Sequence, residues 1–249
     1  MKEQINSAIQ WLKDQPIKGC ITGSCLLDYY EGQDVDIFVY DEKSFIKLLF
    51  AMHHSPMFNI LDPLEKWKFN QYIDVNDSTF YKFGLITIKF MYNTCVPVNI
   101  VLKKKCQDIF SVISSFDIDI ICRGYDIQTQ QYLDLSQNLP DKTATWNRWN
   151  TAFSSDEIWQ ISRILRQLER CFKYHKRGYN TDLIVLKYIE LIEKLEEFES
   201  CFNSENFNEK LKVTKANIAI VKQICQLWLE THEITDEQLE LLKIKMKEI

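Results

Sequence analysis

The sequence predicts an α/β domain over residues 1–140 followed by an α-helical domain over residues 141–249. Three observations carry this. The first part alternates short β-type runs with stretches of helical apolar spacing. From residue 141 onward there is one glycine, Gly178, and no proline, and apolar residues recur at intervals of three and four. The whole 249-residue chain holds only 6 Gly and 5 Pro, too few for an all-β fold built on many tight turns.

The elements follow in order. Ile5, Ile9 and Leu12 predict a helix over 2–14, ended by Pro16. Residues 17–22 read as a strand, after which Gly23-Ser24 opens a helix through Leu26, Leu27 and Tyr30. Residues 33–40 form a second strand, and Asp41 caps a helix around Phe45–Met52. Pro63 starts a short helix near Leu64–Gln71. Strands are expected over 84–90 and 97–102 with a turn at Asn93-Thr94, a helix over 107–113, a strand over 116–122 and a short one over 132–135. Helices are then expected near 143–152, 156–177, 181–200, 214–231 and 235–248.

Composition removes several classes of function. Hydrophobic residues at 46% and charged residues at 26% exclude a disordered chain. A net charge of -5 excludes a generally basic nucleic-acid coat, though not a local basic patch. Met1-Lys2-Glu3-Gln4 lacks the apolar core of a signal peptide, and no run reaches the ~18 apolar residues of a membrane span, so no membrane insertion is expected. The eight cysteines contain no CxxC and no zinc-finger spacing, as expected of reduced, mostly buried thiols in a cytoplasmic protein. His53, His54 and His175 read as surface or packing residues. Residues 225–248 are amphipathic and suit packing, or a partner or dimer surface, which leaves the oligomeric state open.

The chemistry concentrates in Ile21-Thr22-Gly23-Ser24, followed after nine residues (25–33) by Asp34-Val35-Asp36-Ile37. A glycine between strand and helix lets backbone approach a ligand, and free N–H groups at a helix start suit a phosphate. Asp34 and Asp36 are two apart on a strand and leave the same face. Two hard carboxylates on one rigid face suit Mg²⁺. Each part alone has a plainer reading, a solvated strand face or a helix cap. In this order, they make the combination that phosphoryl or nucleotidyl transfer requires.

This pattern resembles the DNA polymerase β-like nucleotidyltransferase superfamily, whose signature is hydrophobic-Gly-[Gly/Ser], a gap, then Asp-hydrophobic-[Asp/Glu]-hydrophobic. The resemblance covers residues 15–125 at motif level. It implies an α+β fold, with a mixed sheet and flanking helices followed by a helical domain that closes the nucleotide cleft. It also implies Mg²⁺ or Mn²⁺ at Asp34 and Asp36, and an NTP or dNTP held at Gly23 and Ser24. The superfamily places a third carboxylate on a later strand. Here Pro97-Val98-Asn99-Ile100-Val101 has the right flanks but Asn99 in that place. An amide brings an oxygen ligand without charge and cannot take a proton, which puts ordinary catalysis in doubt. Phe116-Asp117-Ile118-Asp119-Ile120 offers two further same-face carboxylates. Asp117 or Asp119 enters the site as a metal ligand, or both are structural; the sequence leaves both open. "VNIV", "SSFDIDIICRGYD" and a later "R…KY…RGY" are similar to a poorly characterised group of nucleotidyltransferase-like proteins of phages, large viruses and bacteria, in which Gln or Asn often replaces the third carboxylate. That likeness implies a phage-defence or toxin–antitoxin setting.

Arg163, Arg166, Arg170, Lys173 and Arg177 repeat at three, four, three and four, on one stripe away from the apolar face of Ile158, Ile161, Leu165, Leu168 and Phe172. Like charges so placed repel by ~0.2–0.5 kcal/mol per neighbour, so an anion is expected to offset them. The candidates are a triphosphate, a nucleic-acid backbone, or acids of the chain itself. The resemblance favours nucleotide contact by Arg163, Arg166, Arg170 and Lys173. Trp146 and Trp149, set among bases in 142–149, read as junction packing or as a stacking platform, and Lys103-Lys104-Lys105 as a solvated run. The expectation is a metal-dependent nucleotidyltransferase acting on a nucleic-acid end, a growing oligonucleotide or a protein hydroxyl. Its rival is an inactive nucleotide- or nucleic-acid-binding module of the same fold.

Overall fold

The computed structural model describes residues 1–60, 62–66, 69, 85–150, 160–200, 208–235, 237–238, 240–241 and 244; in 160–167, 195–200 and 208–218 it describes backbone only. The chain divides into two units, Met1–Phe116 with Ile120–Ser136, and Asp117–Asp119 with Gln137–Ile249.

The first unit is a seven-stranded mixed sheet with helices. Its strands are β1 (Gly19–Thr22), β2 (Val35–Val39), β3 (Phe58–Asn59), β4 (Leu85–Tyr92), β5 (Val96–Lys103), β6 (Arg123–Asp126) and β7 (Tyr132–Asp134). They lie in the order β3-β4-β5-β2-β1-β6-β7. β2 and β5 are parallel, and the other pairs are antiparallel.

Helix α1 (Lys2–Lys13) buries Ile5, Ala8 and Leu12. Helix α2 (Glu42–His54) starts where Asp41 Oδ1 accepts the Ser44 N–H at 2.7 Å, the cap expected from sequence. Leu12, Phe45, Leu48, Leu49 and Met52 pack on one sheet face, formed by Val35, Ile37, Val39, Ile86, Ile88, Phe90, Val98, Ile100 and Leu102. Alternation along β4 leaves Leu85, Thr87 and Lys89 exposed on the other face. A slip of one residue would turn Ile86, Ile88 and Phe90 outward, each at about 1.5–3 kcal/mol, and so the register is held. A short helix α3 (Ile109–Ile113), begun by a reciprocal Asp108–Ser111 cap, covers part of the second face with Val112 and Ile113 against Cys20. The β4–β5 hairpin turns at Asn93 and Thr94 with φ of 45° and 61°, as the sequence led one to expect.

In the second unit, α4 (Gln160–His175), α5 (Asp182–Ser200) and α6 (Asn208–Thr231) are long helices. Leu168, Cys171, Phe172, Val185, Tyr188, Cys225 and Trp228 are buried in this unit, with Phe172 and Trp228 ring centroids 4.6 Å apart. Gly178 ends α4 at φ 82° with its N–H on His175 O at 2.7 Å, the expected left-handed cap.

Three expectations need correction, and a fourth is met as far as the description reaches. Gly23-Ser24 opens only a four-residue 3-10 turn, Gly23–Leu26, and not a helix reaching Tyr30. Residues 116–122 are not a strand: Ile118 makes one isolated bridge to Trp146, residues 119–121 form a 3-10 turn, and the strand begins at Arg123. Residues 143–150 are not helical, because Thr143 and Trp146 make bridges instead, while 151–152 lie outside the described residues. Beyond Pro63 the chain is helical over 63–66 and at 69, and residues 67, 68, 70 and 71 lie outside the description. Among the described residues, no helix is long and apolar enough to cross a membrane. The seven described cysteines are free thiols, and all but Cys95 are buried.

Candidate active site

Strand register builds the site. Thr22 pairs with Asp36, Asp36 with Asn99, and Asn99 with Lys89, so one row runs across β1, β2, β5 and β4. Asp36 and Asn99 are partly buried on the face away from the α1–α2 core, while their neighbours Val35, Ile37, Val98 and Ile100 are fully buried in it. The period of two that packs the core therefore projects the polar pair. Asp34, just before β2, lies on the same side, and the Asn99 side-chain amide joins the two acids: Nδ2 donates to Asp36 Oδ1 at 2.8 Å and to Asp34 Oδ2 at 3.1 Å. Carboxylates only accept, so the amide presents its nitrogen to both.

Gly23 sits beside this pair. Its φ is 84°, and a Cβ there would lie 3.3 Å from Asp36 Oδ2. Both the backbone conformation and the close approach thus call for glycine. The turn is braced from beneath: buried Gln33 donates its side-chain amide to Ser24 O, and the Leu27 N–H reaches the same oxygen at 3.0 Å. Cys25 closes the underside with Sγ 3.3 Å from Thr22 O. Burial, and then the charge of Asp36, push its thiol far up, so it stays protonated.

From Asp36 and Asn99 a concavity of about 370 Å³ runs along the open sheet face. Phe38, Val101 and Thr87 pair across β2, β5 and β4 as its next row. Lys103 stands at the far end, opposite Leu85, with Nζ donating to Ser115 Oγ at 3.1 Å. Phe116 walls one side, its ring 5.7 Å from Phe38 and edge-on to it. Phe38 was not singled out from the sequence, and Lys103, read there as part of a solvated run, is instead partly buried and bonded to Ser115. The signal was present, since they lie two and four residues along their strands from Asp36 and Asn99 and so share their face.

The remaining candidates fall elsewhere. Asp119 is 1% exposed and accepts the backbone N–H groups of Thr145 at 2.7 Å and Gln137 at 3.2 Å. Its two oxygens tie together segments of the second unit, and the expectation of a metal ligand gives way to a structural role. Asp117 is likewise buried and holds Arg170, with Nη1 at 2.8 Å from Oδ1 and 2.9 Å from Oδ2. Burial works against the Arg170 charge, but Asp117 more than offsets it and leaves its pKa raised. Arg170 is therefore committed to an internal acid, contrary to the expected nucleotide contact. Lys173 is exposed on α4, and the side chains of Arg163 and Arg166 lie outside the described residues. Trp146 packs edge-on against Tyr188 at 6.1 Å, and the more exposed Trp149 has the Arg148 guanidinium 5.1 Å from its ring.

The donor set fits a small hard cation in one respect and departs from a cage in another. Among the described residues, no three His, Cys, Asp or Glu side chains are grouped to hold a metal. Mg²⁺, however, is ordinarily held by one or two carboxylates, with water and substrate phosphates completing its shell. Asp34 and Asp36, drawn to a single amide, meet that requirement. The Asn99 amide brings hydrogen bonds to both acids but no charge of its own.

The sequence matches no protein-family model and no protein of curated function. Among solved structures it is similar to a "tRNA-processing enzyme (apo form I)" at 14% identity and a TM-score of 0.35, over 99% of this chain and 73% of that one. A likeness of that degree does not identify a family.

Proposed function

We propose that the chain is a metal-dependent nucleotidyltransferase with a nucleotidyltransferase-like fold, and that it moves a nucleoside monophosphate from an NTP or dNTP to a hydroxyl acceptor. The observation that carries this reading is the β2–β5 register, which sets Asp36 beside Asn99 and brings Asp34 to the same amide, next to the Gly23 turn.

Asp34 and Asp36 would hold Mg²⁺ or Mn²⁺, which supplies positive charge against the triphosphate and makes the acceptor hydroxyl more acidic. The Gly23–Ser24 backbone lets the phosphates come close, because no side chain stands at Gly23. The acceptor oxygen forms a bond to the α-phosphorus as the bond to the bridging β-phosphate oxygen breaks, and pyrophosphate leaves. The hydroxyl proton passes to Asp36, the carboxylate that borders the concavity; Asn99 cannot take it. Asn99 positions the two acids instead of acting as a third one. Lys173, and Arg163 and Arg166 on the same stripe, are the basic residues proposed to meet the triphosphate. The acceptor class is a nucleic-acid end, a growing oligonucleotide or a protein hydroxyl, in a cytoplasmic phage-defence or toxin–antitoxin setting.

Incubation of the protein with each labelled NTP and dNTP plus Mg²⁺ or Mn²⁺ tests this. Pyrophosphate release with an extended or nucleotidylated product is expected. Binding without pyrophosphate, across all eight nucleotides and with candidate acceptors present, would instead support the second reading, an inactive binding module. That reading draws on the uncharged Asn99 at the place of a third acid.

A further inference from the structure

We infer that the open-face concavity receives a small anionic acceptor of the nucleoside monophosphate class, with its hydroxyl end at Asp36 and Asn99 and its charged end at Lys103. This rests on the nucleotidyl-transfer reading of the same site.

The lining changes character along its length. At one end stand Asp36 and Asn99, with Asp34 bound to the same amide. At the other stands Lys103, four residues further along β5, about 13 Å in backbone terms. That exceeds the ~8 Å screening length at physiological salt, so the two ends act as separate charges on a ligand. A phosphate is repelled from the carboxylate end and drawn to the ammonium, which fixes the ligand's direction. Between the ends, Phe38, Val101 and Phe116 offer an apolar wall suited to a sugar face or a base. The volume, about 370 Å³, is near the lower end of small-molecule sites and suits one compact ligand.

Lys103 is placed for this. Ser115 donates its own hydroxyl to Val112 O at 2.7 Å and so presents Oγ as an acceptor to the Lys103 Nζ at 3.1 Å. Nζ is thus fixed in position with protons to spare. Among the described residues, Lys103 pairs with no carboxylate, although it is partly buried. A partly desolvated ammonium without a counter-charge favours an incoming anion.

Binding of AMP, CMP, GMP and UMP, and of the parent nucleosides, should be measured by calorimetry on the full chain without metal or NTP. At least one monophosphate is expected to bind about tenfold or more tightly than its nucleoside. Lys103→Met should erase that preference and Lys103→Arg should keep it. Thr87→Trp, at an exposed rim position, should weaken both ligands. Equal affinity of nucleoside and monophosphate, a preference that survives Lys103→Met, or no binding of any monophosphate at millimolar concentration would overturn the inference. Binding of a non-hydrolysable NTP with Mg²⁺ is measured on the same proteins. If it persists while the monophosphate preference is absent, the inference fails and the transfer reading stands. If it is absent while the Lys103-dependent preference persists, the transfer reading fails and charge selection at Lys103 stands.

Discussion

Asn99 on β5 donates its side-chain N–H to Asp36 on β2 at 2.8 Å, directly across a parallel strand pair, and the same nitrogen reaches Asp34 at 3.1 Å. A neutral amide thus holds together two acids that would otherwise repel. The arrangement is a clamp for paired carboxylates, and its consequences can be measured.

Asp34→Asn and Asp36→Asn should each lower nucleotidyl transfer by a hundredfold or more. Both side chains are partly exposed and face away from the core, so the melting temperature should move little; removing one of two like charges offsets the lost hydrogen bond. Pyrophosphate release and thermal melting on the same samples report the two quantities. Full activity in either variant would remove these residues from the site.

Asn99→Asp exchanges the donor for a third carboxylate. Without metal, three acids then crowd one face, and the new group's folded-state pKa is expected to rise above its unfolded value. A raised pKa means the native state holds more protons, so this contribution to stability is present in acid and is lost as pH rises. The variant should melt lower than the parent at pH 7, recover on acidification toward pH 5, and recover at pH 7 on addition of Mg²⁺. Activity should be kept or raised. Melting curves across pH with and without Mg²⁺ check the sign.

Gly23→Ala and Gly32→Ala form a controlled pair. Both glycines have positive φ, 84° and 73°, but a Cβ at Gly32 meets nothing within 4 Å while one at Gly23 meets Asp36 Oδ2 at 3.3 Å. Each should cost ~1–2 kcal/mol of backbone strain, and Gly23→Ala should cost more and also impair transfer. Urea unfolding of both gives the comparison. Equal costs with unchanged activity would show that the contact at Gly23 has no consequence.

Arg170→Met should destabilise the protein without a direct effect on NTP affinity. It leaves Asp117, whose side chain is 7% exposed, without its cation. Loss of one partner of a fully buried pair costs ~3–5 kcal/mol. Arg170 is 42% exposed, which reduces this to roughly 1–3 kcal/mol. Adding Asp117→Asn should recover part of the loss. A drop in NTP affinity with stability intact would restore Arg170 to the phosphate site.

The alternation of Ile86, Ile88 and Phe90, the Asp41 cap and Gly178 are local features, and the sequence showed them because period, capping and left-handed backbone depend on near neighbours. The Gly23-Ser24 and Asp34-Asp36 motif was legible for the same reason. Asp117 and Asp119 were left open between metal ligands and structural acids, because alternation alone reads Phe116–Ile120 as a strand. In the folded chain, Arg170 and the Thr145 and Gln137 amides satisfy those acids, and these partners lie 18 to 53 residues away.

What the sequence determined by itself was therefore most of the elements, the placing of Asp36 and Asn99 on strand faces, and Asp34 next to them in the chain. Only tertiary structure decided that β2 and β5 are neighbours in the register that sets Asp36 against Asn99, that Lys103 shares their concavity, and that Arg170 is used internally. Pairing between strands about sixty residues apart is selected by which faces bury apolar surface together, and that selection is made by the whole sheet and not by any segment within it.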